Sequence, residues 1–336
     1  MALTSLELCA GAGGQAIGLE QAGFIHHAMV EIDPYACSTL RLNRPEWNVF
    51  ETDIAQFDGK PFRGIDLLAG GLPCPPFSVA GKQLGKNDER NLFPHALRLI
   101  DEIRPRAIML ENVRGILDTV FIDFRLELAK SLKKFGYVTH WRLLNASDYS
   151  VPQLRPRVVF VALAENIADC FDWPKPLSDK PPTVGQTLLD LMQEKGWAGA
   201  VKWAMAANDV APTIVGGSKK HGGPDLGPTR ARAAWASLGV DGMGIADSPP
   251  DQDFSYSPFC PEAYAKDPKQ MRSKLPRLTV RMVARLQGFP DDWQFIGKKT
   301  QAYRQVGNAF PSPVAKMVAQ QIASALNRSK KLRLVA

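Results

Sequence analysis

The first half of this chain alternates short apolar runs with longer amphipathic stretches, and that alternation constrains the fold more than any other feature. Strands are expected at Leu3–Leu8, His27–Glu31, Ile65–Ala69, Ala107–Glu111, His140–Asn145 and Val158–Leu163. Helices are expected at Gly14–Ala22, Pro34–Asn43, Leu92–Ile103 and Phe121–Phe135. Parallel strands need a long crossover between them, and an amphipathic helix provides it while covering one face of the sheet. The expected fold is therefore α/β, a doubly wound, mostly parallel sheet. Ligands of such sheets bind outside the carboxyl ends of the strands, and the chemically suggestive segments fall mostly at those ends.

After about Pro174 the texture changes. Residues 174–275 are rich in Gly, Pro, Asp and Ser, with short pieces such as Thr213-Ile214-Val215-Gly216-Gly217 between them. Trp197, Trp203 and Trp235 argue against a disordered linker, because disordered segments are poor in large apolar groups. The expectation is a first domain over 1–173 and a smaller, irregular one over 174–275. Helical periodicity returns at Leu278–Gln287 and Pro313–Leu326, and the family resemblance given below implies that 276–326 rejoins the first domain. The basic tail 327–336, with Arg328, Lys330, Lys331 and Arg333, is expected to fray.

A chain of 336 residues, 45% of them hydrophobic, can bury cores of this size. Its 41 Lys and Arg against 34 Asp and Glu give a formal charge of +7, which suits a polyanionic partner. The first residues lack a basic region followed by an apolar one, and no run of about 18 apolar residues occurs. A soluble, cytoplasmic protein without a membrane partner is expected. Cys9, Cys37, Cys74, Cys170 and Cys260 are scattered, odd in number and form no CxxC pair, which argues against a disulfide framework or a bound metal.

Leu6-Glu7-Leu8-Cys9-Ala10-Gly11-Ala12-Gly13-Gly14 reads as a strand, a glycine turn and a helix start. Glycines let a backbone approach a ligand closely, but the pattern is not GxGxxG, so a pyrophosphate dinucleotide is disfavoured. Glu31 ends the next strand, where an acid commonly binds ribose hydroxyls. Asp53 follows the next apolar stretch and can accept a hydrogen bond from an adenine amino group. The segment Gly70-Gly71-Leu72-Pro73-Cys74-Pro75-Pro76-Phe77-Ser78 follows the Ile65–Ala69 strand. Its prolines restrict the backbone on both sides of Cys74, so the thiol is presented rigidly at a strand end. The glycine-hinged, basic stretch Ala80–Asn91, with Lys82, suits a loop that closes over a polyanion.

Together these residues resemble the DNA cytosine-C5 methyltransferases, nearly end to end. The turn Ala10–Gly14, Glu31 and Asp53 match the family's first blocks, and the Pro73-Cys74 block follows. Glu111-Asn112-Val113 resembles its Glu-Asn-Val motif, and Gln153-Leu154-Arg155-Pro156-Arg157 its Gln-x-Arg-x-Arg motif. Arg277–Pro290 resembles the block that joins two domains, and Tyr303–Ala309 the final Gly-Asn block. Cys9 and Ile32 stand where many members carry an aromatic residue and a tryptophan, and Pro75 where many carry glutamine.

The resemblance implies a Rossmann-like fold, S-adenosyl-L-methionine as cofactor and double-stranded DNA as substrate, with a target-recognition domain between Arg157 and Arg277. It implies catalysis by Cys74, Glu111, Arg155 and Arg157, with Arg157 favoured for the base carbonyl. It implies cofactor binding by Cys9, Ala10, Gly11, Gly13, Gly14, Glu31, Ile32, Asp53, Ile54, Pro73 and Asn308. Candidate DNA contacts are Ser78, Lys82, Thr213, Lys219, Lys220, Arg230 and Arg232, with His221 beside them. The size and plan look like a prokaryotic restriction–modification enzyme, acting as a monomer, with a cognate endonuclease acting separately. An RNA-modifying relative of the same fold is disfavoured because no Cys-Phe-Thr follows the Glu-Asn-Val block. An inactive DNA-binding regulator is disfavoured by the intact Cys74, Glu111, Arg155 and Arg157. The missing GxGxxG leaves a nicotinamide dehydrogenase a distant third.

Overall fold

The computed structural model describes residues 2–73, 92–217 and 223–335. Its chain divides into two compact units. Unit 1 comprises Met1–Asn145, Pro156–Pro176 and Ser312–Ala336; unit 2 comprises Ala146–Arg155 and Leu177–Pro311.

Unit 1 contains a seven-stranded sheet in the order β3-β2-β1-β4-β5-β7-β6. The strands are β1 (Leu3–Leu8), β2 (Phe24–Glu31), β3 (Val49–Glu51), β4 (Leu67–Gly71), β5 (Ala107–Val113), β6 (Tyr137–Asn145) and β7 (Pro156–Ala164). The first five are parallel to one another, while β7 runs antiparallel to both β5 and β6. The order reverses at β1, flanked by β2 on one side and β4 on the other, which is where such sheets bind ligands. Four crossover helices were expected and are present: α1 (Gly14–Gln21), α2 (Pro34–Asn43), α3 (Phe93–Ile103) and α4 (Ile122–Lys134). A short α5 (Glu165–Ala168) follows β7. No strand was expected at β3, whose three residues are too few for a periodic signal.

One face of the sheet buries Leu6, Leu8, Val30, Leu68, Ile108, Leu110 and Phe160 against Leu99 and Ile103 of α3 and Leu128 and Leu132 of α4. Across β1, Ser5 and Glu7 point the other way, because successive side chains alternate. There Ser5 meets His26 Nδ1 at 3.0 Å, and His26 Nε2 meets the Ala16 carbonyl of α1 at 3.0 Å. Helix α13 (Ser312–Val335) lies on α1. A Cβ at Gly18 would stand 2.5 Å from the Ser312 carbonyl oxygen, so the two backbones meet at that point.

Unit 2 is built from α6 (Val184–Gln193), α7 (Ala200–Ala206), α8 (Thr229–Ser237), α9 (Pro261–Lys266), α10 (Pro268–Arg272), α11 (Val280–Gln287) and α12 (Lys299–Asn308). Thr183 and Thr279 cap α6 and α11 through their hydroxyls. Trp203 and Trp235 are fully buried, and Trp203 Nε1 donates to the Gly239 carbonyl.

The compact units divide the chain at other residues than those expected. Residues 276–311 fall in unit 2, and unit 1 resumes at Ser312. Helix α11 packs on α6 and α12 instead, with Arg285 paired to Asp190 at 2.5 Å and Arg281 to Glu194 at 3.1 Å. The expected 1–173 boundary also misses that Ala146–Arg155 belongs to unit 2. Helix α13 spans Ser312–Val335, most of the tail included.

Candidate active site

The carboxyl ends of β1, β2, β4 and β5 gather the unit 1 candidates. The turn after β1 needs left-handed backbone at three positions, with φ of 52° at Cys9, 54° at Gly11 and 89° at Gly13. Only glycine adopts this without strain, so Cys9 carries the unfavourable conformation. The Glu31 carboxylate fixes the turn. Its Oε2 accepts from the Gly11 amide at 2.7 Å, and its Oε1 from the Ile32 and Asp33 amides at 2.8 Å each. Burial pushes the Glu31 carboxyl up, while the three amides pull it down. Glu31 thus ties the end of β2 to the glycine turn, a structural duty additional to the ribose contact expected of it.

Ile32, next along the chain, is an apolar side chain left 61% exposed. Asp53 Oδ1 accepts from the Ala55 amide at 2.8 Å. The Ile54 side chain is in the hydrophobic core, so only its backbone is available to a ligand. Ala10 is buried and its amide donates to Val30 at 3.2 Å. Burial pushes the Cys9 thiol far up, and the sulfur packs against the core.

Sequence reasoning missed two buried polar groups flanking the turn. Glu7 and Gln15 are 1% and 4% exposed. Glu7 Oε2 and both amide atoms of Gln15 lack a protein partner among the described residues. Burial and the nearby Glu31 charge push the Glu7 carboxyl well above the usual carboxylate range. Their signal in the sequence was polarity at positions where the pattern calls for apolar residues.

Glu111 lies near the end of β5, beside Gly71 in the β4–β5 register. Its Oε2 is 3.6 Å from where a Gly71 Cβ would stand, and the Cys9 carbonyl is 4.0 Å from the same point. Three segments expected to be functional therefore meet within a few ångströms: the glycine turn, the strand leading to Pro73, and Glu111. Arg157, at the start of β7, places Nε 2.8 Å from Glu111 Oε1, with both side chains about one-eighth exposed, at 13% and 12%. Its Nη1 donates to the Pro156 carbonyl at 2.8 Å.

Arg155 belongs to unit 2. Its side chain is 1% exposed, and the guanidinium donates to the carbonyls of Ile214, Gly307 and Ala309, at 2.5, 2.9 and 3.0 Å. The chain passes from unit 2 to unit 1 between Arg155 and Pro156.

In unit 2, the Thr213 hydroxyl donates to the Leu154 carbonyl. Arg232 pairs with Asp225 at 3.2 Å, which leaves it less available to a ligand than the sequence implied. Arg230 is exposed on α8. Asn308 is exposed and its Nδ2 donates to Gly217 at 3.4 Å. Pro73 is exposed at the end of a described segment. Cys74, Ser78, Lys82, Lys219, Lys220 and His221 lie outside the described residues.

Comparison with known proteins decides the lineage. The family described as C-5 cytosine-specific DNA methylase matches residues 3–324. The chain belongs to that family. The methylase is 52% identical over 333 residues to the Type II methyltransferase M.NgoMIV of Neisseria gonorrhoeae, covering 98% of this chain and 99% of that one. It is 53% identical over 329 residues to M.NaeI of Lentzea aerocolonigenes, covering 97% and 76%. Among solved structures, the Dnmt2 methyltransferase of S. pombe superposes with a TM-score of 0.63 at 19% identity, covering 98% of the methylase and 99% of that chain. That likeness speaks for the Rossmann-like fold alone. The methylase is a DNA cytosine-5-methyltransferase.

Proposed function

We propose that the enzyme methylates cytosine C5 within a specific sequence of double-stranded DNA, using S-adenosyl-L-methionine and Cys74 as nucleophile. The observation that carries this reading is the Glu111–Arg157 pair beside Gly71, on the strand that leads into Pro73-Cys74.

Cytosine C5 is a weak nucleophile. Addition of the Cys74 thiolate to C6 forms an S–C6 bond and moves the 5,6 π pair onto C5. A free thiol is mostly protonated at neutral pH, so the surroundings of Cys74 must favour the thiolate. Glu111 shares a proton at N3, which draws electrons from C6 and eases the attack. Arg157 holds the Glu111 carboxyl in place, and its guanidinium offers further donors to the base carbonyl. S-adenosyl-L-methionine, when bound, would supply an electrophilic methyl group to the C5 pair, its sulfonium sulfur leaving as the neutral thioether of S-adenosylhomocysteine. Loss of the C5 proton to water returns a pair to the ring, and Cys74 leaves as thiolate.

The residues at the β1 and β2 ends fit this cofactor. An open glycine turn allows close approach, exposed Ile32 suits an adenine face, and Glu31 and Asp53 suit ribose and adenine donors. Orphaned Glu7 and Gln15 atoms suit the polar amino-acid end of such a molecule. Cys9, Ala10, Gly11, Gly13, Gly14, Ile54 and Pro73 would contribute mainly backbone and shape, and Asn308 an amide.

The base must leave the duplex before Cys74 can reach it, at a cost of a few kcal/mol, roughly. Lys82, Ser78, Lys219, Lys220 and Arg230 are proposed to hold the strand, and residues 174–275 to read bases. The relatives are named as Type II methyltransferases. This supports a role in a restriction–modification system, in which the enzyme is proposed to act as a cytoplasmic monomer that protects host DNA from a separate cognate endonuclease.

Covalent trapping tests the reading. Duplex DNA carrying 5-fluorocytosine at the target should form a denaturation-resistant adduct only when S-adenosyl-L-methionine is present. Methyl transfer to tRNA but not to duplex DNA would overturn it.

A further inference from the structure

Unit 2 carries two adjoining cavities of about 370 and 420 Å³ that share Asp241, Arg272, Ser273 and Arg277 as walls. Asp241 organises them. Its side chain is 7% exposed; Oδ2 accepts from Arg277 Nε at 2.8 Å, and Oδ1 stands 3.8 Å from Arg272 Nε. Oδ1 also accepts from the Met243 amide at 3.1 Å. One buried carboxylate therefore faces the inner edges of two guanidinium groups. Among the described residues, the terminal nitrogens of Arg272 and Arg277 have no hydrogen-bond partner. Lys269 adds its charge to the wall of the second cavity, so three cations stand against one carboxylate.

Neutralising Asp241 takes one arginine, and here two converge on it. Arg272 is only 20% exposed, and a charge drawn part-way out of water without full neutralisation favours a bound anion. A guanidinium held at Nε presents its terminal nitrogens as a fork, the geometry that phosphate oxygens accept. The first cavity adds an apolar wall of Pro249, Pro250 and Phe254 beside the same arginines, which suits a deoxyribose. Asp251 in that cavity is already paired with Lys195 at 2.9 Å. The cluster also borders α8. Met243, in the second cavity, holds its sulfur 3.3 Å from Arg232 Nη1, and Arg230 is exposed on the same helix.

We propose that Lys269, Arg272 and Arg277 form a phosphodiester-binding site that grips one DNA strand away from the bases being read. The site carries affinity and no sequence information. This rests on the reading above that the substrate is double-stranded DNA, and it adds a contact at residues which that reading leaves unassigned.

The test uses the full chain with S-adenosylhomocysteine, and duplexes that carry either the target site, once bisulfite sequencing has defined it, or one altered base pair. Fluorescence anisotropy gives Kd over a series of salt concentrations. Arg277→Gln is expected to weaken binding to both duplexes alike, by about fivefold at about 0.15 M salt, the counterion contribution of one phosphate. The slope of log Kd against log salt should fall by about 1, while kcat and the ratio between the duplexes stay within about twofold. Arg277→Lys keeps the charge and should keep the slope. Lys202→Gln is the control: it removes a charge from an exposed position of α7 in the same unit and should leave the slope unchanged. An unchanged slope in Arg277→Gln, an equal fall in Lys202→Gln, or a changed ratio with the slope intact overturns the proposal. Should Arg277→Gln not fold, Lys269→Gln, at an exposed position of α10, carries the same expectation and the same refutation. Thymidine monophosphate titrated into the DNA-free enzyme separates a free nucleotide from a strand phosphate. Saturable binding that Arg277→Gln abolishes, with the salt slope unchanged, also overturns the proposal. A wild type that binds no duplex would instead sink the functional reading beneath it.

Discussion

Acidification from pH 7.5 to pH 5 should cost the methylase about 2 kcal/mol through His26 alone. His26 lies beneath α1, 8% exposed, with its ring edge-on to Trp47 at 4.8 Å between centroids. The Ala16 carbonyl can only accept, so Nε2 carries the proton and Nδ1 accepts from the Ser5 hydroxyl. Neutral imidazole is thus fully bonded. Burial pushes its pKa down from 6.5 to about 4, against a smaller upward pull from the Ala16 bond. A folded value below the unfolded one means the stabilisation is complete above pH 6.5 and is lost as pH falls toward 4. With those two values the unfolded state gains about 2 kcal/mol on the folded state by pH 5, and at most about 3 kcal/mol below pH 4. Carboxylates also titrate in this range, so the measurement is a difference. Urea unfolding of the wild type and of His26→Gln, which can keep the bond to Ala16, is followed at both pH values. The wild type should lose about 2 kcal/mol more than the variant. Identical pH dependence in the two proteins would refute the assignment.

Cys74→Ala should abolish methyl transfer while S-adenosylhomocysteine affinity, measured by calorimetry, stays within about threefold; loss of both would mean that the thiol is structural. Glu111→Gln should lower kcat by about 100-fold or more, far beyond its effect on DNA affinity in a gel-shift assay. Gly18→Ala should lower Tm by several degrees, roughly, because its methyl group would fall 2.5 Å from the Ser312 carbonyl, and scanning calorimetry reads this directly.

The sheet and its crossover helices were legible because period-two and period-3.6 patterns are local. The β3 strand was too short to carry a pattern, and α11 and α12 have the same amphipathic signature as helices of unit 1. Which unit they join depends on partners such as Asp190 and Glu194, about 90 residues away in sequence, as the 95-residue separation of Arg285 and Asp190 illustrates. Glu31, Glu111 and the glycine turn could be read as candidates because strand ends are where ligands bind. The difference between Arg155 and Arg157 could not be read, since two identical side chains two residues apart diverge only through the crossover between them.

The crossing of α1 and α13 has a consequence for biosynthesis. The glycine-turn unit starts with β1 but is finished by a helix that the ribosome makes only after all of unit 2. Domains emerging during synthesis fold as their chain becomes available. On a growing chain the 177–311 portion can therefore close first, while the Gly18 face of α1 stays bare and exposed to chaperones. Methyl-transfer capacity would then appear late, as a property of the finished polypeptide rather than of its nascent half.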